Sequence, residues 1–114
     1  MSFDDYQKSA LLTDVFEEGD RTVSSMAFFS KILGLVGETG EIAEKFKKIY
    51  RDQHGQIKPE QVEDMKKELG DVLWYLAVLA EYLGIPLSEI AEKNIAKLQD
   101  RQNRGVVGGS GDNR

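Results

Sequence analysis

Apolar residues recur along this chain at intervals of three and four, a period that predicts helix almost throughout, and no run alternates at the period of a strand. Four helices are expected, over roughly residues 3–17, 24–52, 59–83 and 87–102. The second puts Phe28, Ile32, Leu35, Thr39, Ile42, Phe46 and Ile49 on one stripe; the third does the same with Val62, Met65, Leu69, Val72, Leu76, Leu79 and Leu83. The fourth turns Leu87, Ile90, Ala91, Ile95 and Leu98 inward. Glu18-Gly19-Asp20 separates the first two helices, Arg51 to Lys58 forms a turn before Pro59, Gly84 closes the third helix and Pro86 opens the fourth. Beyond Arg104 the chain is too rich in glycine to stay helical, so residues 1–104 are expected to form one all-α domain and residues 105–114 a tail.

Two features do not fit a plain amphipathic bundle. Val72 to Ala80 is apolar on every side, more than four helices of one chain can enclose, so a homo-oligomer, dimer or tetramer, is expected with this helix near the interface. Gly34, Gly37, Gly40 and Gly70 lie inside helices, where each costs up to ~1 kcal/mol relative to alanine. Their expected return is the close approach of another helix or a ligand to the backbone.

Gly34 and Gly37 precede, and Gly40 and Gly70 lie within, a repeated acidic phrase, Glu38-Thr39-Gly40-Glu41 and Glu68-Leu69-Gly70-Asp71. Each copy sets two carboxylates on neighbouring turns of one helix face. Four like charges gathered between two helices are tolerable when hard cations with oxygen ligands sit among them, so these acids are the candidate metal ligands. The rest of the composition narrows the options. No cysteine is present, which excludes thiolate sites and thiol catalysis, and the one histidine, His54, lies in a turn, which excludes the Glu-x-x-His pairs of di-iron bundles. A net charge of −5 argues against a nucleic-acid-binding surface. With no apolar signal core and no spanning run, neither a membrane nor an export route is expected, and the cytoplasm is the expected location.

Gly37-Glu38-Thr39-Gly40-Glu41 and Glu68-Leu69-Gly70-Asp71, separated by a helix-turn-helix interval, resemble the two acidic motifs of the MazG-like all-α nucleoside triphosphate pyrophosphohydrolases, over roughly residues 24–104. The resemblance implies the four-helix, bundle-like MazG fold. It also implies Mg²⁺, replaceable by Mn²⁺, on Glu38, Glu41, Glu68 and Asp71, and cleavage of nucleoside triphosphates, deoxynucleotides foremost, to monophosphate and pyrophosphate. Water activated at the metal and oriented by the carboxylates would attack the α-phosphorus, in a role such as clearing the nucleotide pool. Gly37 stands where the family motif begins with Glu. Glu44 is a poor substitute, being better placed to pair with Lys48.

A triphosphate carries about four negative charges, so an acidic site also needs cations. Asn94, Lys97, Arg101 and Arg104 form a stripe beside the apolar face of the fourth helix, while Glu89, Lys93 and Asp100 point away. Asn94, Lys97 and Arg101 are the candidate sugar and phosphate contacts. Tyr75, one turn beyond Asp71, is the candidate base contact, and Trp74 is assigned to the core or an interface. The tail leaves the fourth helix beside these cations, either as a mobile end or as a flap over bound nucleotide. Two other functions are compatible with the chain: a phosphoribosyl-ATP pyrophosphohydrolase-like enzyme and a non-catalytic helical interaction module.

Overall fold

The computed structural model describes Met1–Arg114 and contains four α-helices and no strand. They are α1 (Phe3–Leu11), α2 (Met26–Gln53), α3 (Pro59–Tyr82) and α4 (Leu87–Arg104), with a short 3₁₀ turn at Glu18–Asp20. No single helix is long and apolar enough to cross a membrane.

Local chemistry explains where the helices begin and end. Ser2 and Asp5 form a reciprocal cap on α1: the Asp5 amide donates to Ser2 Oγ at 3.0 Å and the Ser2 amide to Asp5 Oδ2 at 3.3 Å. Ser25 Oγ accepts the Phe28 amide at the start of α2. His54 and Gly55, at φ +54° and +80°, turn the chain out of α2, and Gly105 at φ +73° ends α4. Asp4 of α1 serves as a cap for another helix, its carboxylate accepting both the amide (3.0 Å) and the hydroxyl (2.8 Å) of Ser88 in the first turn of α4.

α2 and α3 lie antiparallel: Gly34 meets Tyr75, Lys45 meets Asp64 and Glu68, and Gln53 exchanges two hydrogen bonds with Gln61. α1 crosses α3, where Trp74 Nε1 donates to Thr13 Oγ1 at 2.7 Å and to the Ala10 carbonyl. The buried Gln7 binds the α3–α4 corner, donating to the carbonyls of Ala77 and Ile85 and accepting the Leu87 amide. The core is small, comprising Ala10, Ala27, Ala77, Val78, Tyr82 and Leu87.

Three expectations change. The first helix stops at Leu11 rather than residue 17, because Asp14 is drawn into a buried ionic cluster and turns the chain with it, accepting the Phe16 amide. α4 bends away from α3 by 103° instead of lying alongside it. The stripes expected to face inward are therefore only partly covered: Ile32, Thr39, Val62, Leu69, Leu83, Ile95 and Leu98 are exposed, although Met65, Ile49 and Leu87 are buried. The radius of gyration is 17.1 Å, against about 13 Å for a compact chain of this length.

The all-apolar stretch behaves the same way. Ala77, Val78 and Ala80 are buried, yet Leu76 remains exposed, together with Phe29, Leu33, Val36 and Leu69 of the hairpin.

Candidate metal centre

The antiparallel hairpin brings one motif from each long helix to the same level. Glu38 and Glu41, one turn apart on α2, meet Glu68 of α3, and one carboxylate oxygen from each lies within 4.8 Å of the others. Glu38 and Glu68 are half-buried and Glu41 is exposed. Glu38 Oε2 and Glu68 Oε2 are buried with no hydrogen-bond partner. Burial, then the charges of Glu41, Asp71 and Glu68, push the Glu38 carboxyl above its ordinary range.

Asp71 stands apart from the three. It is exposed and outside the convergent group, although its charge acts on Glu38 and also adds to the burial that raises the Tyr6 phenol. Glu44 is exposed and pairs with Lys47 at 2.9 Å, not with Lys48 as its spacing suggested.

One glycine has the expected packing role and three do not. A Cβ on Gly34 would lie 2.2 Å from the Tyr75 ring, so this glycine admits Tyr75 between α2 and α3. Around Gly37, Gly40 and Gly70 the space is open. Tyr75 is half-buried there, edge-on to Trp74 with 4.9 Å between ring centroids.

The expected phosphate contacts are placed elsewhere. Asn94 and Lys97 line a cleft of about 410 Å³ with Ile85, Glu89, Ile90 and Lys93, and none of the four acids borders it. Arg101 is buried, and its guanidinium donates to the tail carbonyl of Asp112 at 2.6 Å. Lys97 Nζ lies 3.2 Å from the Asp112 carboxylate. The tail is thus folded back on α4, with Arg114 donating to the carbonyls of Val106, Val107 and Gly111.

Sequence reasoning missed Lys45, whose Nζ lies 2.6 Å from Glu68 Oε1 and 2.5 Å from Asp64 Oδ2. The signal was present. Lys45 follows Glu41 by four residues and Asp64 precedes Glu68 by four, so each shares a helix face with a motif acid.

Excess carboxylate with two buried, unpartnered oxygens suits a divalent cation with oxygen ligands, and Glu38, Glu41 and Glu68 are the residues that would hold it. The model of the MazG nucleotide pyrophosphohydrolase domain matches residues 28–106. The Gene 37 protein of Mycobacterium phage L5 is 46% identical over 114 residues, covering both chains completely. No solved structure matches. The acid motifs, their convergence across the hairpin and the family match together establish that this chain belongs to the MazG nucleotide pyrophosphohydrolase family.

Proposed function

We infer that this protein hydrolyses nucleoside triphosphates, with deoxynucleotides as the main class, to the monophosphate and pyrophosphate in the presence of Mg²⁺, for which Mn²⁺ can substitute. The observation that carries this reading is the convergence of Glu38, Glu41 and Glu68 with two buried oxygens left unpartnered, in a chain of this family. A divalent ion held there supplies charge neutralisation for the triphosphate and Lewis acidity for the attacking water. The carboxylates fix the ligand geometry, and Asp71, exposed at the rim, adds negative charge and a further oxygen donor. Water adds to the α-phosphorus, the α–β anhydride bond breaks, and pyrophosphate leaves with the bonding electron pair.

The active unit on this reading is a homo-oligomer. Phe29, Leu33, Val36, Leu69 and Leu76 form an apolar surface on the α2–α3 hairpin that a second copy would cover. Such packing fills the open space at Gly37, Gly40 and Gly70, and it lets Asn94 and Lys97 of one copy serve the acids of another.

Pyrophosphate release measured over the natural NTPs and dNTPs with Mg²⁺ tests the activity. Turnover of at least one of them, abolished by Glu68→Gln, is expected. With phosphoribosyl-ATP added to the panel, release from none of the substrates would favour the non-catalytic helical module, and release from phosphoribosyl-ATP alone would favour the phosphoribosyl-ATP pyrophosphohydrolase-like enzyme.

A further inference from the structure

We propose that Lys45 is a tethered counter-ion of the acid cluster, which yields Glu68 to an incoming divalent ion by withdrawing onto Asp64. The inference rests on the metal-site reading above and adds to it a residue from neither acidic motif. Lys45 projects from α2 one turn beyond Glu41 and bridges two carboxylates of α3, Asp64 and Glu68, at 2.5 and 2.6 Å. The two partners differ in surroundings. The Glu68 side chain is 13% exposed and has its second oxygen buried without a partner, whereas that of Asp64 is 46% exposed.

An ammonium at this position neutralises part of a cluster that otherwise gathers Glu38, Glu41 and Glu68 within a few ångströms. The same charge repels a divalent ion bound by Glu68. Asp64 resolves the conflict, because it lies outside the convergent acids and keeps the ammonium paired once Glu68 is taken. Space for the movement exists: Lys45 and Asp64 both border a cleft of about 190 Å³, shared with Lys48, Ile49, Asp52, Gln53, Gln61 and Met65. Lys45 therefore sets the threshold at which the cluster loads metal, and Asp64 lowers that threshold by offering Lys45 another partner.

Mn²⁺ binding without nucleotide, followed by the paramagnetic resonance of the free ion, tests the assignment in the full-length protein. Lys45→Gln is expected to tighten Mn²⁺ binding about three- to tenfold, and Asp64→Asn to weaken it by a similar factor. In the Lys45→Gln background Asp64→Asn should change binding less than twofold, because there is no ammonium left to redirect. Glu63→Gln, which removes one exposed charge beside Asp64, serves as the control, with a change under twofold expected. Lys45→Met repeats the test with the aliphatic stem retained, and helical circular dichroism reports folding. If Lys45→Gln and Lys45→Met both leave the affinity unchanged or weaken it, or if Asp64→Asn acts equally with and without Lys45, the counter-ion assignment is overturned while the metal site stands. Absence of Mn²⁺ binding by the wild-type protein would overturn both.

Discussion

Two clusters of charge lie between the helices of this molecule, and they are built on opposite principles. Near the α1 end, the fully buried Asp14 side chain meets Lys31 at 2.9 Å and Arg21 at 3.5 Å, and it accepts the Tyr82 hydroxyl. Lys31 is enclosed by the rings of Phe16, Trp74 and Tyr82, with its ammonium 4.7–5.8 Å from their centroids. Two cations face the one carboxylate there, and each oxygen of Asp14 has a partner. Farther along the same hairpin, Glu38, Glu41 and Glu68 converge with a single lysine on one of them and two oxygens left bare. The first arrangement closes a fold; the second, on the proposed reading, keeps ligand positions in reserve at some cost in stability.

The largest expected effects come from exchanging these roles. Lys31→Met removes the nearer of the two cations from the buried Asp14 and should destabilise the protein by about 3–5 kcal/mol, read by urea denaturation. Glu41→Gln should do the reverse, leaving the metal-free melting temperature unchanged or higher while lowering pyrophosphate release about a hundredfold or more. Equal losses of stability in the two variants would erase the distinction.

The glycines give a second contrast at smaller scale. Gly34→Ala drives a methyl group into the Tyr75 ring and should cost about 1–3 kcal/mol. Gly37→Ala, in open space, should raise the helix stability of a dilute monomer by up to ~1 kcal/mol. If a second copy packs on that face, the same variant loses assembly on sedimentation.

Acid separates the clusters by sign. Burial raises the Asp14 carboxyl, but hydrogen bonds from Tyr82, Lys31 and the Phe16 amide outweigh it and hold the group below its ordinary 3.8, so its contribution is present above that value and lost as pH falls further. The Glu38 carboxyl is raised above its ordinary 4.5, so its contribution in the metal-free protein is present below that value and is lost as pH rises through the elevated one. On the proposed reading a bound Mg²⁺ would compete with that proton, so its stabilising effect should grow over the same interval. Metal-free melting curves that show no loss from Glu38 titration, with Glu38→Gln as the reference, would contradict this assignment.

Much of this contrast was only half legible in the sequence. The acid pairs were readable because their chemistry is local: i,i+3 spacing on a helix fixes which carboxylates share a face. α2, α3 and α4 were readable from periodicity and from Pro59, Gly84 and Pro86. The Asp14 cluster was not, because it joins the loop after α1 to Lys31 and Tyr82, contacts separated by 17 and 68 residues. Those tertiary bonds overrode the helical period beyond Leu11. The direction of α4 was equally hidden, since it depends on Gln7 and Asp4 gripping the corner at Ile85–Ser88.

The smallest expected effect lies in the tail. Asp112 already engages Lys97 and Arg101, so truncation after Arg104 should lower KM for the triphosphate by less than about threefold. A flap closing over nucleotide would instead produce a rise in KM.

The central claim, that the unpaired acids form the metal centre of a pyrophosphohydrolase, is tested most directly by phosphorus NMR of a deoxynucleoside triphosphate incubated with the protein and Mg²⁺. Monophosphate and pyrophosphate should appear in equal amounts, and only when the divalent ion is present. Release of orthophosphate and the diphosphate, or turnover that persists in excess chelator, would contradict it.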